Sequence, residues 1–215
     1  MNTIDLKGAN ETTAKTRILD AAELLFAKYG IANVSVRDIT AEAGVNIAAV
    51  NYYFGSKDEL IKAVFIRRLE PIDKDRLELL DKTEQESGST PPKVEAILTA
   101  LILPIVERGY SGKGDGTFFQ LMGRCFTESN DAIEPLLREH AAPTIRRFDQ
   151  VFMQALPGIT KEELFWQMTF VMGALHHALP VCGASRHGHS LTAAEFTRRF
   201  TTFAAAGLRG SLKKD

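Results

Sequence analysis

Apolar residues return at every third or fourth position through residues 12–29, where Ile18, Ala21, Ala22, Leu25, Phe26 and Tyr29 make one stripe. That period predicts an amphipathic helix, and Gly30 predicts its end. Ser35, with Asp38 three residues on, reads as a capping-box-like start for a second helix whose inward positions are Val36, Ile39 and Ala43. Gly44 breaks it. A third short helix is predicted over 47–53, with Val50 and Phe54 four apart on the inner face. Ser56 and Glu59 form a capping box that opens a fourth helix through Leu60, Val64 and Leu69, with Pro71 as a kink or stop.

Residues 82–92 are polar and read as a linker, after which Thr90 and Pro91 suit an N-cap and first turn. A helix is predicted from there to about Arg108. Ser111 to Gly116 reads as a Gly-rich loop. Further helices are predicted at about 117–128, 131–155 (kinked at Pro143), 160–182 and 191–208, the last capped by Thr192 and Glu195. No segment alternates as a strand would. The predicted fold is all-α, about nine helices: a three-helix head over 12–56 and a helical body over 57–210, with the fourth helix connecting from 57.

Composition narrows the function classes. The chain has 215 residues, 25% of them charged, and a net charge of -1, so bulk charge selects no partner. Cys125 and Cys182 are too few for a disulfide framework. Residues 1–14 carry no apolar core of a secretory signal, and a cytoplasmic protein is expected. The most apolar stretch, Leu164 to Val181, is interrupted by Gln167, His176, His177 and Pro180, which fits a buried or interfacial helix and no membrane span. No phosphate loop, nucleophile elbow or HExxH is present, so no enzyme and no cofactor are expected. The tract His176, His177, Cys182, His187 and His189 matches no structural zinc spacing, and no metal site is assigned to it. Glu162 and Glu163 read as a negatively charged first helical turn.

The head has the order short helix, glycine turn, short helix. Gly44 suits a turn that needs positive φ, and such a unit docks its second motif helix in a major groove. With Val50 and Phe54 inward, Ala48, Asn51 and Tyr52 face outward, flanked by Ala49 and Tyr53. The alanines permit close backbone approach and contact with thymine methyls; Asn51 suits an adenine edge or a phosphate, and the tyrosines suit phosphates. Lys57 and Arg37 each sit in a first helical turn, where a cation opposes the helix dipole, so a phosphate partner is expected for both. Residues 12–65 hold six basic and six acidic side chains, however, and three-helix units also serve as plain packing modules.

The runs Val34-Ser35-Val36-Arg37-Asp38-Ile39, Ala43-Gly44-Val45 and Val50-Asn51-Tyr52-Tyr53-Phe54-Gly55-Ser56-Lys57-Asp58-Glu59-Leu60 closely resemble the DNA-binding signature of the TetR family of bacterial repressors. The resemblance implies DNA contacts at Arg37, Ala48, Ala49, Asn51, Tyr52, Tyr53 and Lys57. The family often carries an aromatic at the position of Asn51. In the body, Glu163-Leu164-Phe165-Trp166, Met172-Gly173-Ala174 and Phe203-Ala204-Ala205-Ala206-Gly207-Leu208-Arg209 are similar to the PsrA-like, fatty-acid-responsive subgroup.

The reading is a ligand-responsive repressor whose partners are double-stranded operator DNA, a second copy of the chain and a small hydrophobic effector, such as a fatty acid or acyl thioester. Candidate pocket positions are Ile102, Phe119, Met122, Phe126, Phe152, Met168, Met172 and His176; plain core packing explains most such residues equally well. Arg124 suits a carboxylate, a salt bridge or solvent. The resemblance implies a dimer interface of the last two helices, through Phe165, Phe170, Gly173, Ala174, Phe196, Phe200, Phe203 and Ala204. The alternatives are a helical enzyme, or an interaction module without DNA affinity, using the body.

Overall fold

A computed structural model of the chain describes residues 3–110, 115–127, 133–183 and 191–210. Among these the fold is all-α, with nine helices: α1 (Thr3–Tyr29), α2 (Val36–Ala43), α3 (Ile47–Phe54), α4 (Lys57–Ser87), α5 (Val94–Tyr110), α6 (Asp115–Thr127), α7 (Ile133–Ala155), α8 (Lys161–Gly183) and α9 (Ala193–Gly210).

Three local expectations change. Pro71 does not stop α4: the helix runs through it to Ser87, with Pro71 exposed. The expected linker from 82 is helical as far as Ser87, and the break falls at Gly88, with φ of 65°. Thr90 does not cap α5. Its hydroxyl donates to the Ser87 carbonyl, and the Ser87 hydroxyl donates to the Thr90 carbonyl, closing a turn. Pro91 and Pro92 then keep the chain extended, since a residue before proline disfavours helical backbone, and α5 begins only at Val94. Pro104 and Pro143 both lie within continuous helices. The Ser35–Asp38 and Thr192–Glu195 boxes form with both reciprocal bonds, and Glu59 donates its backbone N–H to the Ser56 hydroxyl.

The chain divides into two compact units, residues 1–69 with 116–140, and residues 70–115 with 141–215. The first therefore takes in α6 and the start of α7 along with the three head helices. Its interior holds Ile18, Ala22, Phe26, Ile39, Val50, Leu60, Val64 and Phe65, and Phe65 meets Phe118 of α6 edge to face at 6.3 Å. Each of the larger side chains, Ala22 aside, contributes about 1.5–3 kcal/mol when fully buried. Arg124 donates to the Lys28 carbonyl at the end of α1, 3.1 Å away.

One charge breaks this interior. Glu23 is 3% exposed, on the same side of α1 as Leu19, Ala22 and Phe26. One carboxylate oxygen accepts from Arg67 at 2.7 Å and from Arg68 Nε at 2.9 Å; the other accepts from Arg68 at 2.8 Å. Arg67 also reaches Asp20 at 2.7 Å. A buried carboxylate is tolerable only when ion-paired and hydrogen-bonded in this way.

In the second unit α5 packs along α9, and α8 packs against both. Leu98, Ile102, Val151, Phe152, Leu175, Ala205 and Leu208 form its interior. Phe196 and Phe200 stack at 5.7 Å, with Tyr110 6.3 Å from Phe196. Arg209 grips Glu95 through two bonds of 2.6 and 2.5 Å, and Arg147 of α7 pairs with Asp81 and Glu84 of α4.

Removal of the Glu23 carboxylate takes a buried anionic partner from both Arg67 and Arg68, while Arg67 keeps Asp20. Glu23→Ala is expected to lower unfolding stability by about 3–5 kcal/mol, the usual cost of breaking a buried pair. Urea denaturation followed by circular dichroism measures it, and a loss under about 1 kcal/mol would show that solvent replaces the carboxylate.

Candidate nucleic-acid interface

The head builds an exposed helix face from the cap upward. Ser35 fixes the start of α2: its hydroxyl accepts the Asp38 N–H, while Asp38 accepts the Ser35 N–H at 2.8 Å and hydroxyl at 2.6 Å. Those bonds hold the Asp38 carboxyl below the usual carboxylate range. The stabilisation they give is present at neutral pH and is lost as pH falls through the lowered value. Gly44 ends α2 in the left-handed region, φ 61° and ψ 42°, which a side chain would strain. Arg17 of α1 donates to the Gly44 carbonyl at 3.2 Å, tying the turn to the bracing helix. Asn46 caps α3, its side-chain oxygen accepting the Ala48 N–H at 3.0 Å. Neither contact was among the sequence expectations. The polar residue directly before the apolar run of α3 was the available sign for Asn46; Arg17 had none, because its partner is a backbone carbonyl distant in sequence.

Val50 is fully buried, which sets the rotation of α3. Ala48, Asn51 and Tyr52 are exposed, Tyr52 at 73%, while Ala49 and Tyr53 are half-buried. The rings of Tyr52 and Tyr53 meet edge to face at 5.0 Å. Phe54, expected to point inward, is only half-buried, with the Lys15 ammonium 5.9 Å from its ring centre. Arg37 is exposed in the first turn of α2. Lys57 is half-buried and donates to the Ile31 carbonyl at 2.8 Å. That bond explains a cation in the first turn of α4 without any external partner. The head also carries a groove of about 570 Å³ lined by Leu25, Tyr29, Asn33, Val34, Asp38, Ala41 and Glu42, which the sequence reading did not anticipate.

The body positions divide. Phe119 (half-buried) and Met122 (buried) belong to the first unit. Ile102 and Phe152 (both fully buried) and Met168, Met172 and His176 (half-buried) belong to the second. The Phe126 side chain lies outside the described residues. His176 Nδ1 sits 2.6 Å from the Met172 carbonyl, so that nitrogen carries a hydrogen; burial chiefly, and also the Arg76 charge, hold the ring below the usual histidine range, against the Met172 bond that raises it.

Of the residues expected at a dimer interface, Phe196, Phe200 and Ala204 are buried within their own unit. Phe165, Phe170 and Phe203 are 63%, 62% and 65% exposed, Gly173 is exposed and Ala174 half-buried. Trp166, 49% exposed, was not expected; it stacks on Phe170 at 6.3 Å. No group of three or more histidine, cysteine, aspartate or glutamate side chains among the described residues is placed to hold a metal; His187, His189 and the Cys182 side chain lie outside them. No described helix is long and apolar enough to cross a membrane.

Comparison with known proteins bears on both units. Residues 18–64 match the family described as bacterial regulatory proteins, tetR family, and residues 99–207 match the family described as tetracyclin repressor-like, C-terminal domain. The dual transcriptional regulator CecR of Shigella flexneri is 50% identical over 50 residues, covering 23% of this chain and 22% of that protein. The first curated relatives are thus matched over about a quarter of their length. Two solved structures share the fold: SmeT, repressor of the Stenotrophomonas maltophilia multidrug efflux pump SmeDEF (TM-score 0.62, 21% identity, 94% of this chain and 91% of that one), and the fatty acid degradation regulator FadR of Bacillus halodurans (TM-score 0.61, 16% identity, 90% and 99%). The relatives carry the names of transcriptional regulators, not of enzymes.

The cap on α3 is testable alone. Asn46→Ala is expected to cost about 1 kcal/mol, the usual value of an N-cap, with Asn46→Ser nearly neutral. Chemical denaturation of the three proteins distinguishes them, and equal midpoints would mean that Val50 packing alone fixes the helix.

Proposed function

The chain belongs to the TetR family of bacterial regulatory proteins, and we propose that it is a cytoplasmic, ligand-responsive repressor that binds operator DNA as a homodimer. One observation carries the reading: α3 is capped by Asn46, rotated by the buried Val50, and so presents Ala48, Asn51 and Tyr52 to solvent on a helix narrow enough for a major groove. Ala48, Ala49 and Asn51 meet base edges; Arg37, Tyr52, Tyr53 and Lys57 meet phosphates. The proposed division of labour assigns residues 12–56 to DNA and 57–210 to ligand and dimerisation.

A second copy of the chain is the partner proposed for Phe165, Trp166, Phe170 and Phe203. Gly207 of α9 lies beside Gln167 of α8, so one helical turn further along each helix brings Phe203 level with Phe170. Four large aromatics exposed at 49% or more supply apolar surface of the kind monomers avoid, and two-fold symmetry suits a palindromic operator.

The effector is a small hydrophobic molecule of the fatty acid or acyl thioester class, held in the apolar body. The PsrA-like resemblance supports this class, as does the name of the structural neighbour FadR. An effector acts only by binding one arrangement of the two heads better than the one that spans recognition helices about 34–36 Å apart. A coupling of about 1–3 kcal/mol changes operator affinity by about 5–150-fold, and operator DNA then weakens effector binding by the same factor.

Two experiments test this. Fluorescence anisotropy on operator DNA over a salt series is expected to give a steep slope that falls by about one unit in Lys57→Met. Because Lys57 also holds Ile31, thermal stability is measured alongside. Lost stability with an unchanged slope would make the residue a bracket for the head and no phosphate contact, and absence of DNA binding by the wild type would overturn the regulator reading. In sedimentation, the double variant Phe170→Glu with Phe203→Glu is expected to be monomeric and still helical, since each charge is buried twice in a symmetric interface. A persisting dimer would move the interface elsewhere.

A further inference from the structure

The groove on the head is formed by the end of α1, the turn that follows it and one side of α2, all within the first unit. It holds about 570 Å³. Leu25, Val34, Ala41 and the Tyr29 ring supply its apolar wall, and Leu24, next to Leu25 on α1, is itself 45% exposed. The rest of the lining offers oxygens. Asn33 donates an amide hydrogen to the Tyr29 carbonyl, which leaves its side-chain oxygen over. Asp38 takes both Ser35 bonds on one carboxylate oxygen, which leaves the other. Glu42 adds a whole carboxylate, and no lysine or arginine lines the groove.

Glu42 is poorly placed for α2 alone. It follows Asp38 by four residues, and like charges at that helical spacing repel. It also lies in the last turn, where the helix dipole is negative and no basic side chain balances it. Asp38 is accounted for: its Ser35 bonds, the first turn of α2 and the charge of Lys57 all favour its anion. Glu42 has none of these. Lys28 attracts it from a distance, but the Lys28 ammonium rests over the Tyr29 ring, 5.0 Å from its centre, and closes no ion pair with Glu42. Tyr29 chiefly, and Glu42 as well, hold the Lys28 proton above the ordinary lysine range, so this surface already draws a cation.

We propose that the groove is a docking site for a basic segment of another protein, with an arginine guanidinium set between Asp38 and Glu42 and a neighbouring apolar side chain against Leu25 and Val34. A cation there relieves both the repulsion within α2 and the charge at its end. The planar guanidinium carries five N–H groups, which suits several oxygens along one groove better than a compact ammonium does. Exposed apolar surface running past the groove at Leu24 suits a length of chain and not an isolated cation. No residue of α3 lines the groove, so the docking site is separate from the face proposed for DNA and stands whether or not α3 binds it.

The probes are two labelled peptides of about twelve residues, one alternating arginine with leucine and one with glutamate in place of arginine, titrated into the full chain by fluorescence anisotropy. The arginine peptide is expected to bind at least about tenfold more tightly. Glu42→Gln, nearly unchanged in shape, is expected to weaken it about threefold, and Glu42→Lys to bring it down to the level of the glutamate peptide. Ala41→Trp fills the groove without altering charge and is expected to weaken it about tenfold. Thermal unfolding is followed beside each titration. Glu42→Gln removes a repulsion and is expected to leave the midpoint unchanged or higher, whereas a residue kept only for the fold would lower it. If Ala41→Trp does not fold, the two Glu42 variants carry the conclusion. Equal binding of the two peptides, or of the arginine peptide to wild type and folded Glu42→Lys, overturns the proposal. So does displacement of the labelled peptide by N-acetylarginine amide at the peptide's own concentration, which would make this a site for a small cation. Association beyond a dimer in sedimentation, abolished by Glu42→Lys, would overturn it too by giving the groove to another copy of the chain.

Discussion

The head holds its form because a carboxylate that should be in water is not. Glu23 sits inside α1's apolar stripe and is neutralised by two consecutive arginines of α4. Hydrophobic contact alone lets helices slide; three directional bonds to one buried carboxylate fix the pitch of α4 against α1 to a fraction of a turn. The lesser ties then have something to act against. Arg17 reaches the Gly44 turn, Lys57 the Ile31 carbonyl and Arg124 the end of α1. All three spend a cation on a backbone carbonyl at a helix end or turn, where the peptide dipoles leave negative charge unbalanced. Arg17 and Lys57, two of the six basic residues in 12–65, are thereby tied to carbonyls of the head itself.

What was legible in the sequence followed from periodicity and capping. Ile18, Ala22 and Phe26 all proved buried, Gly44 took the left-handed conformation expected of it, and the Ser35 and Thr192 boxes closed. These depend on residues within a turn or two of one another. What was not legible depends on distant partners or on direction. Pro71 was read as a kink or stop, and the stop fails because sequence does not reveal that the residue is exposed on a continuing helix; Thr90 was read as a cap because sequence does not reveal its exchange with Ser87. The candidate site shows the same division. The outward set of α3 followed from placing Val50 inside, whereas the Glu23–Arg67–Arg68 cluster joins residues 44 and 45 apart and left no local trace.

The two aromatic series of the last helices show why composition alone misassigns surfaces. Phe196, Phe200 and Phe203 look alike in sequence, yet the first two pack inside and the third is 65% exposed. The three-residue step from Phe200 to Phe203 rotates the side chain by about 60° short of a full turn, enough to move it from the side facing α5 to the side facing out. Core and surface on α9 are thus separated by angle, not by residue type.

The small side chains of α3 have a consequence for information content. On the proposed reading, a surface made of Ala48, Ala49 and Asn51 offers base edges a single side chain able to form hydrogen bonds. A good bidentate pair is worth about 1–3 kcal/mol of discrimination, and a genome offers on the order of a million or more competing sites. On the proposed reading, the remaining selectivity comes from methyl contacts with thymine and from how readily the operator's own steps bend or narrow. Such a protein would distinguish its sites as much by the mechanical character of the DNA as by its letters, and base pairs that no side chain touches would belong to the operator.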